Sequence, residues 1–153
     1  MAKPYKILTE PLHLVVRFFR SLPPTPPSVA DENWAQDRLL PGERELWIRM
    51  TNQDRRHSVA VARRFIGTRP DATPAEVSGA LLHDVGKIEC GLGTLGRVAA
   101  TVVGARFSER FRVYQDHEAV GARLAAAVGS DPATVELIDE RGPAFDDLER
   151  SDY

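Results

Sequence analysis

Ala80-Leu81-Leu82-His83-Asp84-Val85-Gly86-Lys87 places an imidazole and a carboxylate side by side at the end of an apolar run. A packing face gains nothing from either group, because burying one without a partner costs about 1–3 kcal/mol. Two further histidines, His57 and His117, fall on the apolar faces of separate expected helices. The partner that satisfies several imidazoles and a carboxylate together is a divalent metal ion. Adjacent side chains on a helix diverge by about 100°. His83 and Asp84 therefore reach one ion only where the helix end is distorted, and Gly86, two residues beyond Asp84, permits that.

The spacing supports a shared centre. His57 shares a helical face with Ala60 and Val61, Asp84 with Val77, Ala80 and Leu81, and His117 with Val113, Val120, Gly121 and Leu124. Asp139, four residues after Val135 and next to Ile138, is expected to point inward as well. Each residue taken singly has a structural alternative: a backbone carbonyl for a histidine, Lys87 for Asp84, solvent at a helix end for Asp139. Jointly they favour metal, with His57, His83, Asp84, His117 and Asp139 as candidate ligands. His13 is read as a surface residue.

The period is helical from residue 30 onward and no alternating strand pattern occurs, so the expected fold class is all-α. Pro41-Gly42 opens a segment with Leu46, Trp47 and Met50 on one side. Thr51 or Asn52 caps a helix that runs to Phe65 or Ile66, with Gly67 as its stop. Thr73-Pro74 with Glu76 reads as a capping box with proline at the first helical position. Further helices are expected over 95–103, ended by Gly104, and over 113–128, closed by Gly129. A last one begins at Ser130-Asp131-Pro132 and ends near Gly142. Residues 8–20 suggest a short amphipathic helix, read either as a basic segment lying on a membrane surface or, in preference, as packing on the domain, on a protein partner or on a second copy of the chain. The prolines of 21–28 form an extended linker. The expected organisation is therefore an N-terminal helix and linker over 1–28 and a helical domain over 29–153.

Composition narrows the function. The chain has 153 residues, 42% hydrophobic and 27% charged, with net charge −2. No apolar run approaches the ~18 residues that span a bilayer. A pI of about 6.1 and an acidic stretch over 131–153, eight acids against Arg141 and Arg150, argue against nucleic-acid binding. The single cysteine, Cys90, cannot form an internal disulfide, and no secretory signal is evident, so a cytoplasmic protein is expected.

The stretch 80–87 resembles the signature of the HD-domain superfamily of metal-dependent phosphohydrolases, and His57 in Arg55-Arg56-His57-Ser58-Val59-Ala60 resembles its first histidine. His117 in His117-Glu118-Ala119-Val120-Gly121 is similar to the extra histidine of subfamilies that hold two ions. The resemblance covers roughly residues 52–142; the first 51 resemble only the lead segment of uncharacterised bacterial HD-domain proteins. It implies a helical bundle, a divalent ion held by His57, His83 and Asp84, and hydrolysis of a nucleotide or other small phosphate ester. The superfamily closes its site with a later aspartate, for which Asp139 is the first candidate by its face and Asp152 the second by chain order. Mixed imidazole and carboxylate ligands suit Mn, Fe, Co, Ni or Zn better than Ca or Mg. Asp84 and Lys87 are the expected catalytic groups, and Lys87 and Arg56 the expected contacts to phosphate. The alternative function is a non-catalytic binding or regulatory module on the same scaffold.

Overall fold

The computed structural model describes residues 25–89 and 117–153. These residues form helices and no strand: α1 (Val29–Gln36), α2 (Pro41–Arg49), α3 (Asn52–Thr68), α4 (Pro74–Leu82), a 3₁₀ helix (Val85–Glu89), α5 (His117–Ala127), α6 (Pro132–Ile138) and α7 (Phe145–Ser151). The expected all-α class is what these residues adopt. No helix among them is long and apolar enough to cross a membrane. The expected helices over 8–20 and 95–103, His13, Cys90 and Gly91, Gly93 and Gly96 lie outside the described residues.

Local sequence accounts for the helix starts. Ser28, Thr51, Thr73 and Asp131 each accept a backbone N–H of the first turn. Pro41, Pro74 and Pro132 occupy first helical positions, where the missing N–H has no intrahelical partner to lose. The capping box at Thr73 is complete, with Glu76 N–H donating to Thr73 Oγ1 at 3.2 Å and Thr73 N–H donating to Glu76 Oε2 at 2.8 Å.

Two boundaries differ from expectation. α3 runs through Gly67 and stops before Pro70, whose ring disfavours helical geometry at the preceding residue; Arg69 sits at φ −127°, ψ 79°. The expected helix from 132 to 142 ends at Ile138, where Arg141 N–H donates to Glu136 O at 2.8 Å and Glu140 N–H to Leu137 O at 3.2 Å, with Glu140 at φ 56°. That pair of bonds is a Schellman termination with a non-glycine residue in the left-handed position. α7 follows it, a helix that the periodicity did not announce.

The core gathers Leu46, Trp47, Val61, Phe65, Leu81, Leu82, Val85 and Ile138, all 2% exposed or less. α4 is central, packing on α3 on one side and α6 on another, while α7 lies along α3 and α5 covers the 3₁₀ helix. Polar pins join the layers: Ser78 Oγ–H donates to the buried Glu43 at 2.6 Å, Thr134 Oγ1–H donates to Ala75 O at 2.8 Å, and Arg69 bridges Glu76 and Asp147, each at 3.2 Å.

The seam between the 3₁₀ helix and α5 is the tightest in the fold. A Cβ on Gly86 would fall 1.8 Å from His117 O and 2.8 Å from Gly121 N. Gly86→Ala should therefore destabilise the protein by about 1–3 kcal/mol or more, because backbone and not a flexible side chain must give way. Gly67, in the last turn of α3 with nothing within 4 Å of its would-be Cβ, should gain up to about 0.5 kcal/mol on substitution by Ala. Urea unfolding of the two variants checks both signs.

Candidate metal centre

α4 ends at Leu82, and the backbone tightens into the 3₁₀ helix at Val85, so His83 and Asp84 fall on the transition between two helical geometries. This is the distortion that the adjacency of the pair demanded. His83 Nδ1 lies 2.8 Å from Ala80 O. A carbonyl only accepts, so Nδ1 carries the proton and Nε2 the lone pair. Nε2 is buried and has no hydrogen-bond partner, standing 3.6 Å from Asp84 Oδ2 and 3.8 Å from Asp152 Oδ2.

His57 comes from the first half of α3. Its neighbour Val61 is fully buried, whereas Ala60 is exposed, so the inward face of α3 is carried by Asp54, Ser58, Val61 and Phe65 and not by Ala60. His57 Nε2 lies 2.7 Å from Asp152 Oδ1, and the His57 and His83 ring centroids are 5.7 Å apart. One ligand atom from each of His57, His83 and Asp152 lies within 4.8 Å of the others. An ion bound at about 2.0–2.2 Å by each would need only small side-chain movements to draw them together. The orphaned lone pair of His83, between carboxylates and beside a second imidazole, is the feature that fits such an ion.

Asp84 stands beside this group, its Oδ2 3.6 Å from His83 Nε2. It is 5% exposed and is flanked by Lys87 Nζ at 2.5 Å and His117 Nε2 at 3.3 Å. Burial by itself would raise the Asp84 pKa, but the Lys87 charge and the His117 hydrogen bond and charge hold it well below the usual carboxylate range. His117 opens α5 with Val120 and Gly121 buried on its face, as expected; Val113 lies outside the described residues. Burial pulls the His117 pKa down, and the Asp84 hydrogen bond and charge overcome this and raise it. Glu118 Oε1 is also 3.3 Å from His117 Nε2. Lys87, expected to meet phosphate, is paired with Asp84 as the structural alternative had it.

Asp139 is not brought to the histidines. It caps α6 and accepts from Arg141 Nε at 2.8 Å, because the buried face of α6 is Thr134, Leu137 and Ile138, which packs on α4 and leaves Asp139 at the helix end. Asp152, the second candidate, takes the place at the end of α7, its pKa opposed by burial and lowered by the His57 hydrogen bond and the two imidazoles. Arg56 also departs from expectation: its guanidinium donates to Thr25 Oγ1 at 2.6 Å, and it lines a groove with Pro26, Pro27, Asp31 and Arg63 that none of the clustered ligands lines. Reading the residues missed Glu118 and Glu140. Glu140 has a raised pKa, from burial first and then from the charges of Glu118, Glu149 and Asp139, with His117 opposing. The one signal for it was its place in the run Asp139-Glu140-Arg141-Gly142.

No protein-family model matches the chain, and searches of curated proteins and of solved structures return no match.

The Asp84–His117 pair predicts a pH window for stability. His117 has its pKa raised above 6.5, so its contribution is full below that value and fades as pH climbs through the folded pKa. Asp84 is depressed below 3.8, so its contribution is present above that value and fades as pH falls through the folded pKa. His117→Gln should therefore cost more stability at pH 5.5 than at pH 8.5. Urea unfolding in the presence of chelator at the two pH values checks this, and equal losses would show that the pair is not coupled to folding.

Proposed function

We propose that this protein is a metal-dependent phosphohydrolase acting on a nucleotide or other small phosphate ester. The observation that carries the reading is the buried His83 Nε2, whose lone pair has no partner and is flanked by His57 and Asp152. The chain order, an upstream helical histidine, an adjacent His-Asp pair and a late aspartate, also agrees with what the HD-domain resemblance implies. His57, His83 and Asp152 would hold one Mn, Fe, Co, Ni or Zn ion, and three protein ligands leave positions open for water and a phosphate oxygen. Such an ion supplies a hydroxide nucleophile near neutral pH and polarises the phosphoryl group.

The remaining roles fall to groups already placed. Asp84, held ionised by Lys87 and His117, accepts a hydrogen bond from the attacking water and orients it. The Lys87 ammonium, 11% exposed beside that carboxylate, offsets the phosphate's negative charge. His117, whose Nε2 meets Asp84 Oδ1 at 3.3 Å, holds that carboxylate in its orientation towards the water.

Elemental analysis of protein purified without chelator, followed by a phosphatase screen with added Mn, Co or Ni against p-nitrophenyl phosphate and nucleoside phosphates, tests the reading. One ion per chain and metal-dependent phosphate release are expected. His83→Ala and Asp152→Ala should abolish metal retention without unfolding the domain, and His117→Ala should keep most of the metal while lowering turnover about 10–100-fold. Wild-type metal content in His83→Ala would sink the metal centre. Bound metal with no phosphate release from any substrate would make the protein a non-catalytic binding module instead.

A further inference from the structure

Asp152 is the least sheltered of the three clustered groups. Its side chain is 43% exposed against 13% for His57 and 10% for His83, and it lies just beyond α7, where a chain frays unless it is tied down. Its own backbone N–H reaches back to Leu148 O and Glu149 O at 3.1 and 3.3 Å, and the buried Ser151 before it donates its hydroxyl to Asp147 O at 2.7 Å. Both neighbours are also held from α3. Arg64 Nε donates to Ser151 O at 2.8 Å and Arg64 Nη2 to Tyr153 O at 2.9 Å, while its guanidinium carbon lies 4.2 Å from the centroid of the Tyr153 ring.

Arg64 and His57 are seven residues apart on α3, two turns along one face. The helix that carries the first imidazole thus also grips the backbone immediately before and after the carboxylate that meets it. The planar fork of arginine suits this task, since two carbonyls and a ring face are engaged by one rigid group. α7 has a separate fastening, because Arg69 binds Asp147 in its first turn. The grip on residues 151 and 153 is therefore not needed merely to attach the helix.

We propose that Arg64 is a positioning residue that sets the Asp152 carboxylate against His57. Its consequence for metal affinity rests on the reading of His57, His83 and Asp152 as the metal centre. The test compares Arg64→Ala, Arg69→Ala, Asp152→Ala and the Arg64→Ala/Asp152→Ala double variant in the full chain. Mn²⁺ affinity is measured by titration calorimetry, and the His57 ring nitrogen resonances are measured by NMR in chelator.

Arg64→Ala should weaken Mn²⁺ binding by about 10–100-fold, the scale of losing a group that orients a ligand, and should move the metal-free His57 resonances towards those of Asp152→Ala. Arg69→Ala should lower the melting temperature while leaving Mn²⁺ affinity within about threefold. In the Asp152→Ala background Arg64→Ala should move the metal-free His57 resonances no further, since the two act through one contact. Should Arg64→Ala fail to fold, Tyr153→Ala removes the stacked ring alone and should shift the same signals in the same direction by less. Unchanged His57 resonances in Arg64→Ala, or a further shift in the double variant as large as that in Arg64→Ala alone, would overturn the proposal. A wild-type chain that binds no Mn²⁺ would refute the metal reading, and the metal-free His57 signals would still decide the role of Arg64.

Discussion

The burial of one carboxylate organises this molecule. Asp84 is 5% exposed, and removing an isolated carboxylate from water costs several kcal/mol even after relaxation. Compensation comes from two directions: Lys87 one 3₁₀ turn ahead and His117 from α5. Reaching His117 requires α5 to lie directly on the 3₁₀ helix. That approach leaves no room for a side chain at Gly86 and brings Gly121 close to Gly86 N and Val85. The electrostatics of one buried ion and the steric demand for two glycines are thus two faces of a single packing decision.

The other half of the centre has a different logic. His83 directs Nδ1 to a carbonyl of its own helix, which aims the second nitrogen away from the backbone and into the cluster. This arrangement turns a common way of satisfying a buried histidine into one that leaves a lone pair exposed to a ligand. His57 and Asp152 come to that lone pair from α3 and from the end of α7, elements far apart in sequence that pack along one another. Arg69 joins Asp147 at the start of α7 to Glu76 of α4, so the helix bearing the last carboxylate is fixed to the helix bearing His83.

Away from the cluster, α1, α2 and α3 are knit by Glu32, which accepts from Trp47 Nε1 at 2.9 Å and pairs with Arg55 at 3.2 Å. Glu43 serves α2 in two ways, accepting the Leu40 N–H at 2.8 Å as a capping group and receiving Ser78 Oγ–H from α4. Glu43 Oε1 is buried without a partner, as His83 Nε2 is, but only the latter stands beside a second imidazole and a carboxylate.

Local chemistry was legible along the chain. Caps at Thr51, Thr73 and Asp131, prolines at first helical positions, the left-handed Gly129 and the inward faces of Leu46, Trp47, Val120 and Leu81 follow from interactions within a few residues. His57, His83, Asp84 and His117 stood out for a related reason, since a titratable group on an apolar face demands a partner wherever the chain goes. The identity of the last carboxylate was beyond that kind of reading. Helical periodicity gives the face of a helix but not the helix that the face will meet: the buried face of α6, Thr134, Leu137 and Ile138, packs on α4 and leaves Asp139 at the helix end. Whether Asp139 or Asp152 met the histidines then depended on how α7 lies along α3, through contacts spanning many residues such as those from Arg64 to Ser151 and Tyr153. Such contacts have no sequence period, because they are set by how finished helices dock and not by how any one of them forms.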